Sequence, residues 1–171
     1  TPVEVSQKMR EAGGVPDACV MGDSQACIDF LRDQPLSNGK VGLIGMCSGG
    51  RHTFMAACLC DGVDAAVDCW GGGVIMSEEE LTEARPVSPI EYIDRLECPL
   101  LGIFGNDDRH PDQNEVNRLE EELKKRGKNY EFHRYDGAGH GFWYYDKPMY
   151  RQAQAMDSLE KVFDFFEKHL R

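Results

Sequence analysis

No stretch of this sequence approaches the roughly 20 consecutive apolar residues that a membrane-spanning helix requires. The most apolar run, Val41 to Cys47, has only the length of a strand. Basic residues are scarce: 19 Lys and Arg stand against 30 Asp and Glu, for a net charge of -11. Nucleic-acid phosphates need clustered cations, so nucleic acid is not an expected partner. An anionic substrate would need a local basic patch to offset the overall field. The seven cysteines include no Cys-x-x-Cys pair, which argues against a zinc site. All of them except Cys47 are expected to be small core residues in a reducing, cytoplasmic setting. The opening Thr1-Pro2-Val3-Glu4 lacks the basic start and apolar core of a signal peptide. Repeats, low-complexity tracts and linkers are also missing, and the 171 residues suit one domain, 1–171.

What is present is an alternation of strand-like and helix-like segments. Residues 1 to 14 are polar and close on Gly13-Gly14, as a short helix or loop. Pro16 and Asp17 open a helix to about Leu31, with Val20, Ala26, Cys27, Phe30 and Leu31 as a partly helical stripe. After the turn Gln34 to Gly39, Lys40 to Met46 is apolar without polar alternation, the pattern of a strand buried on both faces. A helix is predicted from about Gly49 to Leu59 and a strand from Val63 to Cys69. Residues 77 to 97 read as irregular, since Pro86 and Pro89 discourage a long helix. Cys98 to Phe104 is a third buried strand, and Asp112 to Arg126 an amphipathic helix carrying Val116, Leu119 and Leu123. Tyr130 to Tyr135 is a fourth strand. The last helix, Tyr150 to Leu170, has Val162, Phe163, Phe166 and Leu170 on its stripe. The alternation predicts an α/β domain with a parallel sheet flanked by helices.

Three segments carry chemistry. Gly45-Met46-Cys47-Ser48-Gly49-Gly50 follows a buried strand and opens a helix, the setting of a nucleophile elbow with cysteine as nucleophile. Small neighbours let strand and helix pass closely, and the helix N-terminus below the sulfur favours the thiolate and a later oxyanion. The Ser48 amide is the expected oxyanion donor. Phe104-Gly105-Asn106-Asp107-Asp108 lies past the third strand, where sites of parallel sheets form. Either aspartate can orient a histidine there; spacing from the glycine favours Asp108. Asp136-Gly137-Ala138-Gly139-His140-Gly141-Phe142 lies past the fourth strand, and its glycines leave the imidazole accessible. His110 is the only rival; His52, His133 and His169 sit on a helix, within a strand and at the C-terminus. The order Cys47, Asp108, His140 is the nucleophile-acid-histidine order of α/β-hydrolases.

On these motifs, and on Gln34-Pro35 and Ser37 to Gly42 leading into the elbow, the sequence resembles the dienelactone hydrolase family over nearly its whole length. The resemblance implies an α/β-hydrolase-like fold and a Cys-Asp-His triad that opens an unsaturated lactone, without metal or organic cofactor. It also implies preceding sequence that supplies the first strands, a second oxyanion donor and an acid that helps ionise the thiol. The chain is therefore expected to lack the N-terminal strands and to pair, at the edge left open, with a bound N-terminal fragment or a second copy. Dienelactone-processing members tend to carry an arginine shortly after the histidine. Here Gly141-Phe142-Trp143-Tyr144 follows instead. Trp70, Phe142 and Trp143 are accordingly expected to bind an apolar or aromatic acyl or leaving group of an ester or lactone.

Two other readings compete. Glutaminase-like elbows pair cysteine with His-x-Glu, and His140-Gly141-Phe142 lacks that acid. A catalytically impaired or regulatory domain with a redox-sensitive Cys47 is the alternative to an enzyme.

Overall fold

A computed structural model describes residues 1–11 and 13–171; Ala12, within the predicted N-terminal segment, lies outside the described residues. The helices are α1 (Pro2–Glu11), α2 (Asp17–Arg32), α3 (Ser48–Leu59), α4 (Gln113–Lys125) and α5 (Gln152–Leu170). The strands are β1 (Gly42–Met46), β2 (Ala65–Cys69), β3 (Leu100–Gly105) and β4 (Tyr130–Tyr135). They form one four-stranded sheet in the order β1-β2-β3-β4, parallel throughout. Residues 77 to 97, read as irregular, hold two short 3-10 turns, Glu78–Glu80 and Pro89–Arg95. Among the described residues no helix is long and apolar enough to cross a membrane.

Side chains alternate across each strand, so the sheet has two cores. On one face Ala66 and Leu100 meet Phe54 and Cys58 of α3 and Leu119 and Leu123 of α4. On the other, Ala65, Val67, Leu101 and Ile103 meet Ala155, Val162 and Phe165 of α5. Helix α4 starts as its sequence suggests: the Asp112 carboxylate accepts the Glu115 amide at 2.8 Å. Gly127, at φ 62°, ends it.

Three expectations are corrected. Strand β1 is not buried on both faces: Ile44 is 45% and Met46 43% exposed. It is an edge strand, hydrogen-bonded to β2 alone among the described residues. In α2 the buried residues are Asp17 and Ile28, while Cys27, Phe30 and Leu31 face solvent. In α5 the stripe runs through Ala155, Ser158, Val162 and Phe165, leaving Phe163 67% exposed. The exposed apolar residues lie on three different elements: Ile44 and Met46 on the edge strand β1, Cys27, Phe30 and Leu31 on α2, and Phe163 on α5. The cysteines divide likewise: Cys58, Cys69 and Cys98 are buried, whereas Cys19 and Cys27 on α2 are exposed, and all seven are free.

Candidate active site

In a parallel sheet all carboxyl ends of strands lie on one edge, and here each predicted group sits just past its own strand. Cys47 follows β1 and has φ 58° and ψ -124°, a left-handed conformation that non-glycine residues rarely adopt. Its amide donates to the Cys69 carbonyl at 3.0 Å, tying the elbow to the end of β2. Its own carbonyl accepts the Gly50 amide at 2.9 Å. The side chain is exposed.

Sterics explain the glycines unevenly. A Cβ on Gly45 would lie 2.0 Å from the Gly49 carbonyl oxygen, and one on Gly50 2.1 Å from Asp68 Oδ1. Gly49 itself faces open space. The close crossing of β1 and α3 therefore requires Gly45 and Gly50. Ser48 is the first residue of α3, so its amide has no preceding helical carbonyl to bond.

Of the two aspartates, Asp108 meets the histidine. His140 Nδ1–H donates to Asp108 Oδ2 at 2.8 Å, and the His110 amide donates to Oδ1 at 3.0 Å. The acid is nearly enclosed (3% exposed), while the imidazole is open to solvent (39%). Asp107 is exposed and donates its amide to the Ala138 carbonyl at 2.9 Å. The other histidines are occupied elsewhere. His110 Nδ1 lies 3.5 Å from Glu115, His133 2.6 Å from Glu131, and the His169 ring packs 4.7 Å from Phe165. His52 is half-buried against α2, and burial, then Arg51, pulls its pKa down.

Trp70, just past β2, has φ 43° and packs edge-on against His140, with ring centroids 6.5 Å apart. Phe142, Trp143 and Tyr144 surround it at 5.1, 5.0 and 6.3 Å. Trp70 and Phe142 are completely buried in the α5-side core. Trp143 is half-buried and donates its indole N–H to Ser158 Oγ at 2.7 Å. Tyr144 is the aromatic residue that reaches the surface, with its ring laid against Gly141.

Two acids escaped sequence reading. Asp68, on β2, is fully buried and accepts the Gly71 amide at 2.8 Å; Glu115, on α4, accepts the Gly73 amide at 2.6 Å. Both brace the loop that follows Trp70. A signal for Asp68 was present, namely an acid inside the otherwise small and apolar Ala65-Ala66-Val67-Asp68-Cys69. Among the described residues no group of three or more His, Cys, Asp or Glu is arranged to hold a metal ion.

Residues 3–170 match the model of the dienelactone hydrolase family. The chain belongs to that family. It is 31% identical over 156 residues to a protein of Methylorubrum extorquens that bears the name carboxymethylenebutenolidase as a provisional assignment; the match covers 91% of this chain and 52% of that one. A Synechocystis protein under the same provisional name is 28% identical over 170 residues, covering 99% of this chain and 66% of that one. The chain thus spans about half to two thirds of these relatives. Among solved structures, a provisionally assigned dienelactone hydrolase from Klebsiella pneumoniae superposes with a TM-score of 0.83 at 24% identity, over 92% of this chain and 64% of that one. This likeness, with the parallel sheet flanked by helices, shows the α/β-hydrolase-like fold of the family.

Proposed function

We propose that this chain cleaves a carboxylic ester or lactone through Cys47, His140 and Asp108. The observation that carries the reading is the enclosed Asp108 carboxylate holding an open His140, on the sheet edge where a left-handed turn presents Cys47. His140 takes the thiol proton as sulfur bonds the substrate carbonyl carbon, and the Ser48 amide receives the oxyanion. Collapse breaks the bond to the alcohol oxygen, which regains the proton from His140. A thioester remains on Cys47. His140 then deprotonates water, which attacks the thioester and releases acid and free thiol. Asp108 keeps the imidazole in the tautomer that this relay needs.

Tyr144 supplies exposed aromatic surface beside His140, with Trp70, Phe142 and Trp143 behind it shaping that wall. This favours an apolar or aromatic acyl or leaving group. The unpaired edge of β1 takes either a bound N-terminal fragment or a second copy, and a cytoplasmic setting agrees with seven free cysteines.

The test is turnover of a panel of activated esters and lactones, with mass analysis of acylated protein. Turnover with an acyl group on Cys47, lost in Cys47→Ala, supports the reading; turnover without acylation of Cys47 refutes the thioester. The exposure of Cys47 also supports a second reading, a redox-sensitive regulatory domain. Peroxide oxidation of Cys47 without any ester turnover selects it.

A further inference from the structure

Asp68 is the penultimate residue of β2, and its register neighbours are Gly45 on β1 and Gly102 on β3. Its direct neighbours in the sheet are therefore both glycines, and on the Gly102 side the rings of Phe104 and Phe132 fill the space a side chain would take. Two more glycines close over it. A Cβ on Gly50 would lie 2.1 Å, and one on Gly71 2.3 Å, from Asp68 Oδ1. The carboxyl is enclosed by backbone where the first turn of α3 meets the loop after β2. Oδ1 accepts the Gly71 amide, while Oδ2 is buried and has no hydrogen-bond partner among the described residues.

No neighbouring element supplies a counter-ion. From α3 comes Arg51, but its guanidinium is held by Asp17 at 2.6 and 2.8 Å and by the Gly73 carbonyl at 3.1 Å. From α4 comes Glu115, another acid. The loop after β3 brings His110, which sits beside Glu115. Cys69, next on the strand, is a buried thiol. A carboxylate with one donor and no cation is costly to bury. A proton on Oδ2 removes the charge.

We infer that Asp68 is a positioning residue: as a neutral carboxylic acid it clamps the Gly71 amide beneath α3 and so fixes Trp70 behind His140. Burial pushes the Asp68 carboxyl up to about 8, with nearby Glu115 adding to the rise and the Gly71 amide opposing it. Glu115 is itself pushed up, chiefly by burial. Two acids thus accept amides of the loop from Trp70 onward, beside the bonds from Trp70 to the Ile103 carbonyl and from Arg51 to the Gly73 carbonyl. Ionising Asp68 leaves an uncompensated charge in the enclosure, and the loop must open to hydrate it. The native chain keeps a proton that the unfolded chain releases near pH 4. Native stability accordingly falls as pH rises from about 4 to about 8 and then levels.

The clamp stands without the proposed ester chemistry; only its effect on turnover rests on that reading. The experiment is near-ultraviolet circular dichroism of the folded chain from about pH 6 to about pH 10, in a Cys47→Ala background that takes the exposed thiol out of the measurement. The tryptophan signal is expected to change with a midpoint near 8. Asp68→Asn should abolish the change, and Glu115→Gln, which removes a like charge, should move the midpoint to lower pH. With Cys47 intact, kcat/KM should fall over the same range, and Asp68→Asn should remove that fall. A transition that survives Asp68→Asn, or no transition in the parent, overturns the inference. Should Asp68→Asn not fold, the Glu115→Gln midpoint decides, and an unmoved midpoint overturns it. Absence of ester turnover at every pH counts against the proposed function and leaves the dichroism to judge the clamp.

Discussion

The two sides of the sheet are held together by different forces. Strands β2 and β3 are buried at every residue, between α3 and α4 on one face and α5 on the other. The β1 side, with α2, leaves Ile44, Met46 and Phe30 in contact with water. What pins α2 is largely polar. Arg51 grips Asp17 with two hydrogen bonds, Arg32 reaches the Gly62 carbonyl at 2.8 Å and Asp64 at 3.1 Å, and Gln25 exchanges two bonds with Asp61. The candidate site straddles the divide. Cys47 follows β1, one edge strand; His140 follows β4, the other edge strand, none of whose residues is fully buried; and Asp108 follows the buried β3. Packing thus secures the acid most firmly, while the thiol and the imidazole each follow a strand at the margin.

Four substitutions sharpen or break this contrast. Cys47→Ala, measured as ester turnover, should cost on the order of 10⁴-fold or more, as removal of a nucleophile does elsewhere. Its urea unfolding midpoint should stay near that of the parent, since the side chain is exposed. Asp17→Ala strands a buried guanidinium and should cost about 3–5 kcal/mol in urea unfolding. A loss below about 1 kcal/mol would show that apolar packing, not this ion pair, secures α2. Leu101→Ala, within the α5-side core, should cost about 2–5 kcal/mol. Ile44→Ala, on β1, should cost less than about 1 kcal/mol by the same measurement, because nearly half of its surface stays in water on folding. Equal losses at Leu101 and Ile44 would mean that the β1 face is covered in solution, and sedimentation would then reveal the second body.

Most of the fold was legible because its signals are local. The apolar run before Gly45, the Asp112 cap and the 3.6-residue spacing of Val116, Leu119 and Leu123 each point to one element. Cys47, Asp108 and His140 were legible because each follows its own strand at a short interval. The exposure of Ile44 and Phe163 was not legible, since both look like core residues and only tertiary packing decides which apolar side chains are covered. Asp68 and Glu115 escaped for the complementary reason: their roles arise from backbone amides of a distant loop. The spacing from Gly105 already favoured Asp108 over Asp107, and Asp108 is the one that bonds His140.

Because strand order follows chain order, the sheet can be built by adding each new strand beside the one just made. Each parallel pairing still closes a long crossover connection, so every added strand carries its own loop-closure cost and slows assembly. During synthesis the cysteine-bearing turn emerges first and the histidine-bearing loop last. Under the proposed chemistry, Cys47 meets its base only once β4 has docked and brought the His140 loop to the sheet.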